Sequence, residues 1–142
     1  MITKEKRVSC AKLTYANDYE KERMVFPFNK ESIEANVPDG VMPGNYRIGC
    51  LRESGYHVIY VGRIDYREDR GIKDRLIEHI GEFEGNLYFD YNSNNTPENA
   101  YLRKCLDYHF WKNVERKLEN KIHPDVPNGL NIHCPICFYR LI

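Results

Sequence analysis

The amino-acid sequence predicts a small α+β fold, and three observations lead to this prediction. Residues 45–51 and 56–61 are both strand-like, the second being rich in β-branched and aromatic side chains, and they flank a polar turn, which is typical of a β-hairpin. Apolar residues recur at helical spacing over 72–80. A third strand-like segment, 87–91, precedes a long helix that we expect to extend from 96 to about 120.

Length and composition indicate one folded domain. A chain of 142 residues with ordinary hydrophobic content is long enough to bury a core without disulfides. We expect a single domain over 1–142, in which 1–40 form an N-terminal extension, 41–120 the core and 121–142 a tail. No apolar run approaches the roughly 20 residues of a membrane span, and the first residues lack an apolar signal-peptide centre, so we expect a cytoplasmic protein.

The formal net charge of zero bears on the choice of partner. A strongly basic chain would favour nucleic acid, whereas a neutral chain needs a local basic patch to bind it. Neutrality therefore predicts weak non-specific DNA binding at moderate salt, without excluding a DNA-binding protein.

Local signals predict a helix start and the register of the hairpin. Asn29 or Ser32 is a suitable cap for a short helix over 31–36. In the hairpin we expect Tyr46 to lie opposite Tyr60. A slip of one residue would put the two rings on opposite faces of the sheet, because side chains alternate along a strand.

The first core helix carries two polar residues on one edge. Arg75 and His79 are four residues apart, so they stack beside the apolar stripe over 72–80. Gly81 is suited to ending this helix. Thr96, followed by a proline, is a strong start for the long helix.

Three short motifs stand at defined places on these elements. Gly-Asn-Tyr occupies 44–46 on the first strand, Tyr-Val-Gly occupies 60–62 on the second, and Arg75 lies on the helix that follows. In order and spacing they resemble the motifs of the GIY-YIG nuclease family, over roughly residues 40–120. The resemblance implies a small three-stranded antiparallel sheet flanked by helices. It also implies an endonuclease that hydrolyses DNA phosphodiester bonds.

The same resemblance assigns catalytic roles to residues of this chain. Tyr46 and Tyr60 would position or activate water, Arg75 would stabilise the charge on phosphorus-bound oxygens, and His79 would assist. Taken singly, a strand tyrosine most often packs in a sheet, and a helix arginine is most often a solvated charge. Two further cations would hold a neighbouring phosphate: Arg63 and Lys73.

One position departs from the family pattern. The metal-binding glutamate stands four residues after an alanine on the long helix, but here Ala100 is followed at that distance by Lys104. A protonated lysine cannot ligate Mg²⁺ or Mn²⁺, and Glu98 projects from a different face, roughly 120° around the helix axis. Three explanations stay open: an inactive relative that still binds nucleic acid, an introduced substitution that disables cleavage, or an altered enzyme in which Lys104 contacts phosphate.

Cysteine and histidine spacing predicts a structural zinc site in the tail. The chain has five cysteines, an odd number that, without a secretion signal, argues against a disulfide framework. Four side chains form a complete tetrahedral set: Cys105, His109, Cys134 and Cys137. His123 and His133 are competing ligands, and cysteines that pack as small apolar residues are the alternative. The tail also resembles that of a bacterial GIY-YIG subgroup with a zinc-knuckle-like end.

Two classes of function follow from these patterns. The leading hypothesis is a DNA-acting nuclease with structural Zn²⁺ and catalytic Mg²⁺ or Mn²⁺, disabled where Lys104 replaces the glutamate. The alternative is a non-enzymatic, zinc-stabilised module that binds nucleic acid or protein. Under either hypothesis, we expect DNA as the partner and no association with a membrane. The sequence does not determine the oligomeric state. A basic cleft would favour nucleic acid.

Overall fold

The computed structural model describes seven stretches of the chain: residues 24–40, 43–53, 55–64, 71–93, 96–115, 118–127 and 129–140. Within them, no helix has both the length and the apolar character needed to cross a membrane. Eight elements follow one another within these stretches: β1 (Phe26–Pro27), α1 (Lys30–Asn36), β2 (Gly44–Arg52), β3 (Gly55–Ile64), α2 (Ile72–Glu78), β4 (Leu87–Ser93), α3 (Pro97–Glu115) and α4 (Pro135–Arg140).

The predicted α+β class is confirmed, but the sheet has four antiparallel strands where three were expected. The strand order is β1-β4-β2-β3, so β2 is central and β3 lies at an edge. The additional strand is β1, in which Phe26 pairs with Phe89 and Pro27 with Tyr88. A two-residue strand containing proline is too short to leave an alternating pattern in the sequence.

The predicted hairpin register is wrong, although its consequence for the tyrosines holds. Tyr46 lies opposite Gly62, and Tyr60 lies opposite Ile48. The next pair is Gly49 with Val58, so a β-bulge leaves Ile59 as the extra residue on β3. A register displaced by two residues keeps each side chain on its face, so Tyr46 and Tyr60 still share one face of the sheet.

Two apolar cores cover the two faces of the sheet. The face towards α1 and α2 is built mainly from aliphatic side chains: Ile33, Tyr46, Ile48, Ile64, Ile72, Leu76 and Phe89. The face towards α3 is more aromatic: Tyr56, Val58, Val61, Tyr108 and Trp111. The helices α2 and α3 therefore pack on opposite sides of the sheet.

A buried ion network joins the central strand to its neighbours. The guanidinium of Arg47, which is 1% exposed, donates to both carboxylate oxygens of Asp90 on β4, at 3.0 and 3.1 Å. It also lies 3.5 Å from Asp107 on α3, which Arg103 contacts at 3.2 Å. Burial raises the pKa of Asp90 to about 6, against the opposing pull of Arg47. The sequence analysis did not predict this network.

Helix caps follow the sequence signals closely. The Asn29 side chain accepts a hydrogen bond from the Ser32 backbone N–H at 2.8 Å, which confirms one of the two proposed caps. The Thr96 hydroxyl accepts from the Asn99 N–H at 3.1 Å, as expected. Gly81 has a left-handed φ of 88°, but α2 ends at Glu78 with His79 as its C-cap, so the helix ends before the predicted glycine.

The tail differs from the prediction in two ways. The helix α3 ends at Glu115 and not near 120, and a short helix, α4, occupies part of a segment expected to be irregular. Residues 118–120 instead lie along the outer edge of β3. The Asn120 side chain exchanges two 2.8 Å hydrogen bonds with the backbone of Val61, and the Glu119 N–H donates to the carbonyl of Ile59. These bonds satisfy backbone groups that an edge strand would otherwise expose.

Candidate functional site

Tyr46 is held at the centre of the sheet by a close approach to Gly62. Its side chain is 1% exposed and lies on the α2 face of β2. The phenol ring crosses the neighbouring strand directly over Gly62, where an added Cβ would overlap its Cζ and hydroxyl oxygen. Glycine at this position is therefore needed for space, and its absence of a side chain is what lets the Tyr46 hydroxyl reach α2.

His79 links Tyr46 to an acidic residue. The Tyr46 hydroxyl lies 3.0 Å from His79 Nε2, and His79 Nδ1 lies 3.1 Å from the Glu82 Oε1 atom. The histidine is the C-cap residue of α2, and Glu82 follows in the turn after it. The result is a chain of hydrogen bonds from a tyrosine through an imidazole to a carboxylate.

Aromatic contacts place Tyr60 next to the same imidazole. The Tyr60 and His79 ring centroids are 4.6 Å apart, and the Tyr46 and Tyr60 rings stack at 6.2 Å. Phe83 is buried behind both rings, 5.5 Å from Tyr60 and 5.9 Å from His79. Tyr60 is half-buried, so it is the more accessible tyrosine of the pair. Three predicted site residues thus meet in one cluster.

Two further predicted site residues, Arg75 and Lys73, lie on α2, the helix that His79 caps. Arg75 is half-buried one turn before His79, and its carbonyl accepts the His79 backbone N–H at 3.3 Å. Lys73 is half-buried and pairs with Asp39 at 2.8 Å. Arg75 therefore shares a helix edge with His79, as the spacing predicted.

Arg63 and Lys104 belong to the opposite side of the sheet. Arg63 donates to the Asp125 carbonyl at 2.6 Å, and its guanidinium lies 5.4 Å from the Tyr101 ring centroid on α3. Lys104 is half-buried on α3, the helix that packs against the face of the sheet remote from α2. Neither residue shares a helix with His79.

A second cluster contains two histidines and two cysteines. Its potential ligand atoms lie within 4.8 Å of one another and belong to His109, His123, Cys134 and Cys137. Three predicted ligands are thereby brought together, whereas Cys105 is outside the cluster and His123 takes its place. Cys105 is fully buried against Tyr101 and Cys134, and burial raises the pKa of its thiol to about 12. The spacing of four residues between Cys105 and His109 on α3 could not show that His123, and not Cys105, joins the other three ligands.

The cluster has dimensions that suit a tetrahedral metal ion. The two imidazole Nε2 atoms are 3.1 Å apart, and the Cys137 sulfur lies 3.4 and 3.6 Å from them. Zinc–nitrogen and zinc–sulfur bond lengths imply separations of roughly 3.3–3.8 Å between ligand atoms. His123 Nδ1 donates to the Pro124 carbonyl at 2.8 Å, which leaves Nε2 for a metal.

Electrostatics around Cys134 favour the form of the thiol that binds metal. Burial raises the pKa of Cys134, but hydrogen bonds from the backbone N–H groups of Cys137 and Ile136 help to bring it below the ordinary value. The thiolate is the ligating species. The side-chain set, its spacing and its charge therefore all suit a zinc ion.

Comparison of the chain with family models, curated proteins and solved structures finds no match. The geometry of the two clusters and the sequence motifs are therefore the features that bear on function.

The sequence analysis missed two members of the first cluster, Glu82 and Phe83. Glu82 is three residues after His79, a spacing that brings side chains together on a helix and its first following turn. That signal was available in the sequence. Phe83 had no such signal, because a single aromatic residue between two glutamates does not form a periodic pattern.

The contact between Gly62 and the Tyr46 ring gives a direct test of the site geometry. We expect Gly62→Ala to destabilise the protein by about 1–3 kcal/mol, since the new methyl group would displace the ring. Chemical denaturation measures this change. In a Tyr46→Leu background the same substitution should cost much less, because the overlapping ring atoms are gone. Equal costs in the two backgrounds would contradict the contact.

Proposed function

We propose that this protein is a GIY-YIG-type hydrolase of DNA phosphodiester bonds whose cleavage is disabled by Lys104. The observation that carries the proposal is the contact of His79 with both motif tyrosines, including the 3.0 Å bond to Tyr46. Two strand tyrosines packed for sheet stability alone would not need to converge on a helix-terminal histidine that is itself bonded to a carboxylate. Such a chain of groups suits proton transfer.

Each residue has a defined task in the proposed reaction. Tyr60 is the more accessible tyrosine and would contact the attacking water. The buried Tyr46 would release its own proton to His79 as it accepts the proton that leaves the water through Tyr60. Arg75, one turn from His79, would bind the phosphate oxygens with parallel hydrogen bonds as negative charge accumulates. Lys73 would release Asp39 and bind a neighbouring phosphate. Arg63 would bind a substrate phosphate near the tail, on the opposite side of the sheet.

Lys104 does not fit a catalytic Mg²⁺ or Mn²⁺ site. A protonated lysine offers no lone pair, and its charge repels the ion. No step of the proposed reaction therefore passes through such an ion in the chain as it stands. The expected behaviour is DNA binding that weakens with salt, together with very slow cleavage.

Restoring a carboxylate at position 104 tests this proposal. With Mg²⁺ and a labelled DNA duplex, we expect Lys104→Glu to cleave at least roughly tenfold faster than wild type, since the family resemblance places the metal ligand at this position, although α3 packs on the face of the sheet remote from α2. Lys30→Glu makes the same charge change at an exposed position of α1 and should cleave no faster than wild type. Gel analysis of the products measures the rates.

Tyrosine variants in the Lys104→Glu protein locate the chemistry. Tyr60→Phe should abolish the gained cleavage. The control Tyr91→Phe removes a hydroxyl that donates to the Asn36 carbonyl on α1, and this variant should keep the gained cleavage. Rapid cleavage by wild-type protein would contradict the role given to Lys104. Silence of Lys104→Glu would contradict the nuclease assignment and favour a binding module.

We propose further that the second cluster binds one structural Zn²⁺. Support comes from the ligand separations and from its four-ligand, closed composition. The ion would connect α3, through His109, to the tail and to α4, through Cys137. The tail residue Asn120 bonds to β3, so the metal would also secure the cover on the sheet edge. This same observation favours the second candidate function, a zinc-stabilised binding module without enzymatic activity.

Metal analysis of untagged protein tests the zinc proposal and its ligand set. We expect about one equivalent of zinc per chain, and less than about half an equivalent would contradict the proposal. His123→Ala should lose most of the metal. Cys105→Ala is the matched control, because its thiol is buried nearby but lies outside the ligand set, and this variant should keep the zinc. Loss of zinc in Cys105→Ala with retention in His123→Ala would contradict the proposed ligands.

A further inference from the structure

Glu82 is fixed beside His79 by both its backbone and its side chain. The Glu82 backbone N–H donates to the His79 carbonyl at 3.0 Å, and its carboxylate lies 3.1 Å from His79 Nδ1. The two side chains are 26% and 13% exposed, so the pair is partly shielded from water. Screening by solvent is therefore reduced for this contact compared with an ion pair on an open surface.

The chemistry of these two groups determines which ring nitrogen carries the proton. An ionised carboxylate only accepts hydrogen bonds, so His79 Nδ1 must donate to Glu82. In the neutral ring, Nε2 then has a free lone pair directed at the Tyr46 hydroxyl, 3.0 Å away. The hydroxyl therefore donates to Nε2, and Tyr46 is poised to lose its proton to the ring.

We propose that Glu82 is a positioning residue that holds His79 in the tautomer able to take the Tyr46 proton. When the proton moves from the Tyr46 oxygen to Nε2, the ring becomes a cation and Tyr46 a phenolate. Glu82 then forms an ion pair with the ring, which stabilises the charge-separated state. This role rests on the hydrolase proposed above, but the arrangement of protons exists whether or not DNA is cut.

The packing around the histidine supports a positional role. Tyr60 and Phe83 pack next to the ring, at centroid distances of 4.6 and 5.9 Å. Gly62 supplies the space in which the Tyr46 ring lies. Steric contacts thus fix the plane of the imidazole, while an acceptor at Nδ1 is required to select between its two tautomers. Glu82 supplies that acceptor.

Nitrogen NMR of the histidine side chains in full-length protein tests the proposal without any cleavage assay. At neutral pH we expect His79 to carry its proton on Nδ1 and to show an unprotonated, hydrogen-bonded Nε2. His79→Gln assigns the signals by removing them. A wild-type ring protonated on Nε2 alone would overturn the proposal, whatever the variants do.

Two variants separate Glu82 from its neighbourhood. Glu82→Ala should shift His79 towards the Nε2-protonated tautomer, since the carboxylate acceptor at Nδ1 is removed. Glu84→Ala removes an exposed carboxylate two residues away and should leave the His79 signals unchanged. An unaltered His79 tautomer in Glu82→Ala would also overturn the proposal.

A kinetic arm distinguishes failure of this proposal from failure of the hydrolase assignment. In the Lys104→Glu background, Glu82→Ala should lower kcat by roughly 10- to 100-fold with little change in KM, the loss expected when proton transfer is impaired. Unchanged kcat would contradict the role of Glu82 alone. If Lys104→Glu does not cleave, the hydrolase assignment fails, while the tautomer measurement still decides the arrangement of protons.

Discussion

The close approach of the Tyr46 ring to the backbone of Gly62 is the constraint on which the candidate site depends. It requires β2 and β3 to pair so that Tyr46 faces a residue without a side chain. The bulge at Ile59 adjusts the remaining hairpin to that pairing. Once the ring is placed, its hydroxyl lies at the end of α2, where His79 meets it. The pairing of two strands thereby determines a contact with a helix.

The opposite face of β2 provides the mechanical support for this arrangement. Arg47, the residue after Tyr46, points to the other side and bonds to Asp90 on β4 while approaching Asp107 on α3. Removing one partner from such a buried ion pair costs about 3–5 kcal/mol, because it leaves an uncompensated charge. The network therefore fixes the central strand between its neighbour and the long helix. Consecutive residues of β2 therefore contribute to the candidate site on one face of the sheet and to the buried ion network on the other.

Local sequence signals predicted the helix starts and most of the elements, because their causes are local. The Asn29 and Thr96 caps depend on residues only three positions away. The register of the hairpin was beyond reach, since the bulge at Ile59 results from side chains packed across strands. Likewise, the choice of His123 over Cys105 depends on how the tail folds back onto α3, and no spacing encodes that path. Glu82 was within reach, as it lies one turn from His79.

The two clusters have different proposed roles. The tyrosine and histidine cluster lies on the α2 face and would carry the proposed chemistry, whereas the histidine and cysteine cluster on the α3 side would fasten the tail if it binds the proposed metal. Asn120 connects the tail to β3, the strand that bears Tyr60, so the segment that carries part of the second cluster contacts a strand of the first. A protein deprived of metal would then lose order first along the outer edge of β3.

The most direct test of the central claim, that nucleic acid binds at the tyrosine and histidine cluster, is an NMR titration of wild-type protein with a short DNA duplex at low salt. We predict saturable amide shifts centred on Tyr60, Arg75 and His79, which diminish as salt is raised. Shifts centred on the tail, or none that saturate, would contradict the account.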